Sequence, residues 1–449
     1  MNENHFIVGL DIGTYYIKAS AIATEDKSTV YESLVESTDN FLNIRDKKYL
    51  KQQIVNSIAI LEEKIENKIK HVFLTIDPEF TKMKKSEGII LLDEMPVDKK
   101  DIIRAIDKSL SQVKSNNDEI IDTVISRYLV DGVSYDNPIG VEGRVLEVQL
   151  KAFLSDRDYV ERQNKLLNSI GLNLVGVGVS NNTASNILLT DKDKENGTFL
   201  IDVGASKTRV SYFLNNELKS IEVFPFGGHS ITNDIAIVLE KSRGESEKLK
   251  KSISTLTDKN VIDSESSNVD KDDQKKNEEL EILDEIIKAR VIDMMDNINT
   301  YIKSVEKNLS GKKAVIHGGG IAKIRNISKT VNNNLIIPTN VITSDIIDGN
   351  SIFTFQVSGL VYSLLEVLSY TVYDVDESEK NVKKPFTSNI KEISDLKENV
   401  KQKEYKEYND ASYLTEDQDL IADKKEENDE YEKSEPLTWF QKFINKFFK

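Results

Sequence analysis

Apolar residues near the start of the chain alternate with polar ones in the period of two that is typical of β-strands. Between Phe6 and Ala23, an apolar strand, a D-I-G-T turn and a second alternating strand from Tyr16 to Ile22 predict a β-hairpin. The period then changes to that of a helix from Leu50 to Ile65, and a buried-type strand follows from His71 to Ile76. The chain therefore opens as an α/β unit.

A smaller unit interrupts this pattern from about Lys84 to Asp158. Its βαβ-like order of one strand, one helix and two further strands is predicted at Gly88–Leu92, Asp98–Val113, Ile120–Val130 and Arg144–Leu154. We interpret residues 84–158 as a subdomain inserted into a first lobe that comprises residues 1–83 and 159–197.

The second half of the chain repeats the opening pattern. A strand from Thr198 to Val203, a D-V-G-A-S turn and a strand from Lys207 to Phe213 mirror the first hairpin. A strand from Ala314 to His317 then runs into the glycine triplet Gly318–Gly320, and an apolar helix is predicted from Gly359 to Leu368. The repeat predicts two similar lobes, the second of which spans residues 198–374.

Two segments lack the pattern of a folded core. Residues 256–278 have many acids, no aromatic residue and no periodicity, which predicts a disordered loop, and residues 283–309 then trace the apolar face of a long helix. Residues 376–435 contain 19 Asp or Glu and 11 Lys, which predicts a disordered charged linker over residues 375–435. A short helix is predicted after it, at residues 436–449.

Composition narrows the functions that such a fold can serve. The chain has 449 residues, of which 39% are hydrophobic and 30% charged, and its net charge is −16. The absence of cysteine and four scattered histidines argue against disulfides and a metal enzyme, and the acidity argues against nucleic-acid binding. The sequence shows neither a signal-peptide pattern nor a run of about 20 apolar residues. We therefore expect a cytoplasmic protein with peripheral membrane contact.

Each predicted hairpin carries an Asp-X-Gly turn, and together the two turns suggest how a nucleotide is held. Tight glycine turns present backbone N–H groups to phosphate oxygens, and Thr14 adds a hydroxyl. Asp11 and Asp202 are expected to face each other and to order the water shell of a Mg²⁺ ion that bridges the phosphates. One such turn is common in ordinary hairpins, but two of them with a later glycine triplet favour ATP and Mg²⁺ as cofactors.

The glycine triplet is the candidate adenosine site. Gly318, Gly319 and Gly320 follow an apolar strand and allow the backbone to approach a nucleoside closely. In another predicted helix, Glu247 is a candidate for the ribose and the stem of Lys250 for the adenine. A solvated helix face explains Glu247 and Lys250 equally well.

Five segments of the chain resemble the actin-like ATPase superfamily and, within it, the family of the bacterial cell-division protein FtsA. They are V-G-L-D-I-G-T at Val8–Thr14, N-P-I-G-V-E-G-R-V-L-E at Asn137–Glu147, I-D-V-G-A-S-K-T at Ile201–Thr208, P-F-G-G-H-S-I-T-N-D-I-A at Pro225–Ala236 and H-G-G-G-I-A at His317–Ala322. The resemblance covers residues 1–374 and 436–449. It implies an α/β, actin-like two-lobed fold of duplicated ribonuclease H-like domains, with a small inserted α+β subdomain.

The resemblance also implies a nucleotide site and a set of partners. The site would comprise Asp11, Gly13, Thr14, Asp202, Gly204, Ser206, Lys207, Thr208, Glu247, Lys250, Gly318, Gly319 and Gly320. The implied partners are the C-terminal peptide of the tubulin-like protein FtsZ, further copies of this chain in actin-like filaments, membrane lipid and other division proteins. The implied location is the cytoplasmic face of the membrane at the division site.

The second phosphate turn departs from the family pattern D-I-G-G-G-T-T-D. Ala205, Ser206, Lys207 and Arg209 stand where Gly, Gly, Thr and Asp are expected. Lys207 can itself meet a phosphate, whereas the missing acid would have helped to organise metal-bound water. We therefore expect ATP binding with weak or no hydrolysis, and we assign no catalytic residue.

The last segment of the sequence is predicted to form an amphipathic helix that begins after Pro436. Its membrane-binding residues would be Leu437, Trp439, Phe440, Phe443, Ile444, Phe447 and Phe448 on one face, with Lys442 and Lys446 on the other. An apolar face flanked by lysines and free of acids suits the interface of an anionic bilayer. Docking in a protein groove is the alternative, although the long charged linker disfavours docking on this chain's own body.

Two other functions are open to an actin-like chain. A pilus-assembly protein can share the inserted subdomain, but the amphipathic terminus disfavours this interpretation. A small-molecule kinase would need a base in the cleft, for which Asp234 is the only candidate. We favour an adaptor that tethers FtsZ filaments to the membrane.

Overall fold

The computed structural model describes residues 6–24, 30–36, 47–92, 96–113, 115–253, 271–324, 326–343 and 351–372, which belong to one compact unit. The predicted linker at 375–435 and the predicted helix at 436–449 lie outside the described residues, as do residues 256–270 of the predicted loop. Within the described part, no helix is both long enough and apolar enough to cross a membrane.

Five strands form the sheet of the first lobe: β1 Phe6–Ile12, β2 Tyr16–Ala23, β3 Val30–Glu36, β4 His71–Ile76 and β9 Asn173–Val179. Their order is β3-β2-β1-β4-β9, in which β1 to β3 are antiparallel and β4 and β9 run parallel to β1. Leu10 and Ile17 are fully buried in this sheet. The predicted hairpin and the predicted strand after the first helix are confirmed.

The second lobe repeats this topology with strands β10 Thr198–Val203, β11 Thr208–Leu214, β12 Glu217–Phe224, β13 Lys313–His317 and β14 Thr339–Val341. The order β12-β11-β10-β13-β14 matches that of the first sheet strand for strand. Here too the first three strands are antiparallel, and the last two run parallel to β10. The duplication predicted from the sequence is therefore present in the backbone.

Helices complete the two lobes. They are α1 Lys47–Ile65, α3 Arg157–Asn168, α4 Ser180–Leu188 and α5 Asp191–Asn196 in the first half, and α6 Gly228–Val238, α7 Arg243–Ile253, α8 Lys271–Val305 and α9 Ile327–Asn334 in the second. In α8, Val291, Met294 and Ile298 are fully buried, as the predicted apolar face requires. The prediction of a disordered loop is wrong over residues 271–278, which begin α8. Lys, Glu and Gln favour helices, and this segment extends one that the core already holds.

The inserted subdomain has a four-stranded sheet and one helix. The strands are β5 Thr81–Leu91, β6 Asp118–Val130, β7 Val133–Tyr135 and β8 Val145–Asp156, in the order β5-β8-β6-β7, and the helix is α2 Lys99–Val113. Helix α2 packs so closely that a Cβ on Gly88 would lie 1.8 Å from the carbonyl oxygen of Ala105. Lys151, with 2% exposure, joins the subdomain to the second lobe through Glu217 at 3.1 Å.

The last described helix, α10 at Ser351–Val372, returns to the first lobe. A Cβ on Gly9 of β1 would lie 2.7 Å from Val357, and one on Gly359 would lie 2.0 Å from the carbonyl oxygen of Thr183 in α4. The predicted boundaries assign this helix to the second lobe, within residues 198–374, and that assignment is wrong. Its apolar face packs where glycines let it approach β1 and α4.

Candidate functional site

A cavity of about 770 Å³ opens between the two hairpins. Both Asp-X-Gly turns line it, together with the end of β4, the first turn of α6, part of α7, the glycine triplet and the first turns of α10. The first lobe and the second therefore face each other across one shared cleft. Because the two sheets have the same topology, the same corner of each sheet supplies a turn.

The structure brings nearly all the predicted site residues to this cavity. Those that line it are Asp11, Gly13, Thr14, Asp202, Gly204, Ser206, Lys207, Glu247, Lys250, Gly318, Gly319 and Gly320. Thr208 does not line it, because its buried hydroxyl donates to the carbonyl oxygen of Phe226 at 2.9 Å. Thr208 therefore supports the second hairpin from behind instead of contacting a ligand.

The first turn is held by its own backbone and by a cross-strand ion pair. The N–H of Gly13 donates to the carbonyl oxygen of Tyr16 at 3.0 Å, and a Cβ on Gly13 would lie 2.7 Å from the same oxygen. Asp11 pairs in register with Lys18 of β2, and their charged atoms are 2.7 Å apart. The hydroxyl of Thr75 on β4 also donates to Asp11. The carboxylate thus already has a cation and a donor.

The second turn repeats this arrangement, and its acid and cation are again seven residues apart in the sequence and paired in register. The N–H of Gly204 donates to the carbonyl oxygen of Lys207 at 2.9 Å. Asp202 pairs in register with Arg209 of β11, with Nη1 2.9 Å from Oδ2. Gln356 of α10 donates to the same carboxylate at 3.0 Å. Both hairpins therefore carry an acid on the first strand and a cation opposite it on the second.

Arg209 also crosses the cleft. Its Nη2 lies 2.5 Å from Asp77, which follows β4 in the first lobe, so one guanidinium joins carboxylates of both lobes. Lys207 forms a second cross-cleft ion pair with Glu79, in the short 3₁₀ turn Pro78–Phe80. A planar guanidinium has enough donors to serve two carboxylates at once.

Buried charges shift the pKa values at the second turn. Burial raises the pKa of the Asp202 carboxyl, but His317 in its protonated form, Arg209 and Lys18 lower it by more, so it lies below its ordinary value. Burial lowers the pKa of His317 to about 4, so this ring is neutral at pH 7 and the compensating charge comes from Arg209 and Lys18. Burial likewise lowers the pKa of Arg209, whereas Asp202 and Asp77 raise it by more. The guanidinium stays charged.

The glycine triplet packs against the second hairpin. Gly318 has φ +109°, and a Cβ there would lie 2.5 Å from Asp202 Oδ1. The N–H of Gly320 donates to the carbonyl oxygen of Val203 at 2.8 Å, and a Cβ on Gly320 would lie 2.3 Å from the carbonyl oxygen of Gly204. These positions exclude larger residues because the backbone itself fills the space. The triplet therefore forms part of the cavity wall.

Glu247 and Lys250 reach the cavity as a buried pair. Their charged atoms are 2.6 Å apart, and Thr232 of α6 donates to Glu247 at 2.5 Å. Lys250 also donates to the carbonyl oxygen of Gly228 at 3.0 Å. Burial lowers the pKa of Lys250 although Glu247 opposes this. The two side chains join α6 to α7, in place of the solvated helix face that was the alternative interpretation.

Polar atoms without partners show what the cavity is suited to accept. Among the described residues, Ser180 Oγ, Gln356 Oε1 and Arg209 Nε are buried and have no hydrogen-bond partner, and all three side chains line the cavity. A buried polar atom needs a partner, so a polar ligand fits here. The predicted Mg²⁺ site does not fit, because Lys18 and Arg209 pair with Oδ2 of the two carboxylates that were to order its water shell.

Several residues at this site were missed by sequence reasoning. Lys18 was detectable, because it follows Asp11 at the same spacing of seven residues that separates Arg209 from Asp202. Asp77 and Gln356 carry no comparable signal, since each reaches the site through a contact that is distant in sequence. The candidate kinase base, Asp234, lies outside the residues that line the cavity and forms ion pairs with Arg290, the shortest at 2.5 Å.

Family models identify the relatives of this chain. The model described as "Cell division protein FtsA" matches residues 199–358, and the model described as "SHS2 domain inserted in FTSA" matches residues 80–153. The chain belongs to the FtsA family. The second match covers the subdomain built from β5 to β8, so the fold is actin-like with the insertion that marks FtsA. Membership makes this chain an actin-like protein of cell division.

Individual relatives agree with the assignment. FtsA of Buchnera aphidicola subsp. Baizongia pistaciae is 25% identical over 337 residues, which cover 71% of this chain and 78% of that one. FtsA of Streptococcus pneumoniae is 25% identical over 258 residues, which span just over half of each protein, at 56%. Among solved structures, the PilM–PilN type IV pilus biogenesis complex superposes with a TM-score of 0.52 at 12% identity, covering 80% of this chain and 98% of that one. This last likeness shows the fold alone.

Proposed function

We propose that this chain is an ATP-binding adaptor that tethers FtsZ filaments to the cytoplasmic membrane at the division site. The observation that carries the proposal is the cleft between two matched Asp-X-Gly hairpins, in a chain of the FtsA family. Cations at Lys18, Lys207 and Arg209 line this cleft and suit a polyphosphate. The glycine triplet and the Glu247–Lys250 pair lie at the part of the cleft that we assign to adenosine.

ATP binding is tested by calorimetry on two cleft variants and their controls. Asp202→Ala removes the anchor of Arg209, and Gly319→Glu puts a carboxylate where a Cβ already meets Phe353 at 2.6 Å. We expect each to weaken ATP binding about tenfold or more. Gly244→Glu is the matched control, since a Cβ there meets nothing within 4 Å and Gly244 does not line the cavity. Unchanged ATP binding in both cleft variants would refute the assignment.

Hydrolysis is expected to be weak or absent. Arg209 stands where the family pattern has an acid, and in this structure it engages Asp202 and Asp77. Among residues that line the cleft, none is assigned as a base. Phosphate release measures this directly. A sustained rate above about 1 s⁻¹, which is ordinary for enzymes, would favour an enzyme over an adaptor.

Membrane attachment is proposed from the sequence of residues 437–449. Phe443→Glu or Phe447→Glu puts a charge in the middle of the apolar face, so liposome flotation should be lost as it is on deletion of the segment. Replacing Lys442 and Lys446 by Gln should cost only about 1 kcal/mol per charge on anionic vesicles. Flotation at two salt concentrations separates the two effects. Flotation of the truncated chain would mean that the anchor lies elsewhere.

The family assignment supports a proposal about filament partners. We propose that the chain binds the C-terminal peptide of FtsZ, self-associates and helps to recruit later division proteins. Self-association would strengthen a modest single-helix anchor through avidity. Cosedimentation of the purified chain with FtsZ and liposomes, with and without ATP, tests the adaptor as a whole. FtsZ that stays in the supernatant under all conditions would contradict the tethering role.

A further inference from the structure

The guanidinium of Arg209 lines the cleft and lies between carboxylates of opposite lobes. It is 2.9 Å from Asp202 in the second lobe and 2.5 Å from Asp77 in the first. Asp202 is 2% exposed and cannot exchange this partner for bulk water without opening the cleft. The positive charge between the two acids is therefore part of the chain itself.

Other acids at the cleft also form ion pairs with lysines. Asp11 holds Lys18 at 2.7 Å, and Glu79 holds Lys207. Within the part of the chain that the structure describes, no three acidic or histidine side chains are grouped so as to hold a metal ion. A divalent ion placed at Asp202 would meet the guanidinium of Arg209 at once. Hard cations need oxygen ligands, and here N–H donors already occupy Oδ2 of Asp202 and Oδ2 of Asp11.

The same cations face the space that a polyphosphate would fill. Lys18, Lys207 and Arg209 all line the cavity, and Arg209 Nε is buried without a hydrogen-bond partner among the described residues. Guanidinium groups match phosphate oxygens in charge and geometry, which is the task that Mg²⁺ performs for nucleotides elsewhere.

We infer that Arg209 takes the place of a divalent cation, so that this cleft binds a nucleoside triphosphate without a metal ion. The inference rests on the nucleotide binding proposed above. Nucleotide binding would then not depend on a metal ion, because the chain itself supplies the positive charge that would otherwise arrive with the ligand. Arg209→Asp, which restores the acid of the family pattern, should then create the need for a metal.

The test is calorimetric titration of the full chain with ATP, in excess MgCl₂ and in EDTA. Wild type should bind with the same affinity in both buffers to within about threefold, whereas Arg209→Asp should bind at least about tenfold more weakly in EDTA. Arg209→Lys keeps one charge and should stay independent of metal. Arg104→Asp, on the exposed surface of α2 outside the cavity, is the matched charge-reversal control.

Thermal unfolding without nucleotide gives a second readout. MgCl₂ should raise the melting temperature of Arg209→Asp, where three carboxylates would meet, and leave that of wild type unchanged. A tenfold loss of wild-type ATP affinity in EDTA would overturn the inference and leave the proposed function standing. Absence of wild-type binding in both buffers would instead overturn the proposed nucleotide site and this inference with it. If MgCl₂ did not change the melting temperature of Arg209→Asp, the inference would also be overturned.

Discussion

The two hairpins share a backbone but use their cations differently. In both, an acid on the first strand pairs with a cation seven residues later on the second. Lys18 forms its ion pair within the first lobe, whereas Arg209 extends to Asp77 in the opposite lobe. An ammonium group acts as one compact charge, and a guanidinium presents a fork that can serve two acids. Duplication has thus preserved the register while one side chain came to join the lobes.

The largest difference between the two hairpins is expected when the cation of each is removed and the free energy of unfolding is compared. Arg209→Ala leaves Asp202 buried without its cation, so we expect the free energy of unfolding to fall by about 3 kcal/mol. Lys18→Ala leaves Asp11 with 14% side-chain exposure and the Thr75 hydroxyl, so a loss of about 1 kcal/mol is expected. Urea denaturation measures both. Equal losses would mean that reaching across the cleft adds nothing to the second pair.

Acid should weaken the second hairpin through His317. Its pKa is lowered from 6.5 to about 4 in the folded chain. At pH values between 4 and 6.5, the ring is therefore protonated in the unfolded chain and neutral in the folded chain. Stability from this ring is complete above pH 6.5 and falls as pH drops towards 4, by on the order of 2 to 3 kcal/mol. The lowered pKa of Asp202 adds a loss at still lower pH.

A variant at His317 isolates this effect from that of other titrating groups. His317→Gln should reduce the loss of stability between pH 6.5 and 4, whereas the part of the loss that comes from His229, whose pKa burial also lowers to about 4, should remain. The measurement is the free energy of unfolding in urea at several pH values. Parallel profiles for wild type and His317→Gln would show that the buried ring takes up its proton freely.

For the turn glycines we expect the opposite order, with the larger loss of stability in the first hairpin. A Cβ on Gly13 would lie 2.7 Å from a backbone oxygen, whereas one on Gly204 would lie 3.1 Å from a backbone oxygen and 3.2 Å from a side-chain nitrogen. Gly13→Ala should therefore destabilise the chain by about 1 kcal/mol more than Gly204→Ala. Thermal denaturation of the pair checks the order. A larger loss at Gly204 would indicate that the second turn is the tighter one.

The smallest effect is expected at the outer cross-cleft pair. Lys207 and Glu79 have side-chain exposures of 25% and 46%, so solvent screens their attraction. Lys207→Gln should change the free energy of unfolding by about 0.5 kcal/mol, well below the change for Arg209→Ala. Raising the salt concentration should remove most of this difference. A salt-independent loss would place Lys207 among the buried charges instead.

The local sequence pattern was sufficient to predict the hairpins, but it could not predict contacts between residues that are distant in sequence. Alternation and turn residues define β1–β2 and β10–β11, and most site residues follow from those turns. Arg209 was interpreted only as a lost acid, because a sequence does not show that Asp77 lies opposite it. Helix α10 was assigned to the wrong lobe for a similar reason. An apolar face predicts burial but does not identify what it packs against.

Helix α10 also fixes when the first lobe can finish folding during synthesis. Ser20 of β2 and Ser358 of α10 are hydrogen-bonded although 338 residues separate them. At a ribosomal rate of roughly 5 to 20 residues per second, β1 and β2 wait roughly 20 to 70 s for the helix that covers them. Throughout that time, the apolar surface beneath α10 stays open to other chains and to chaperones. The first lobe to be translated is therefore among the last parts of the body to be completed.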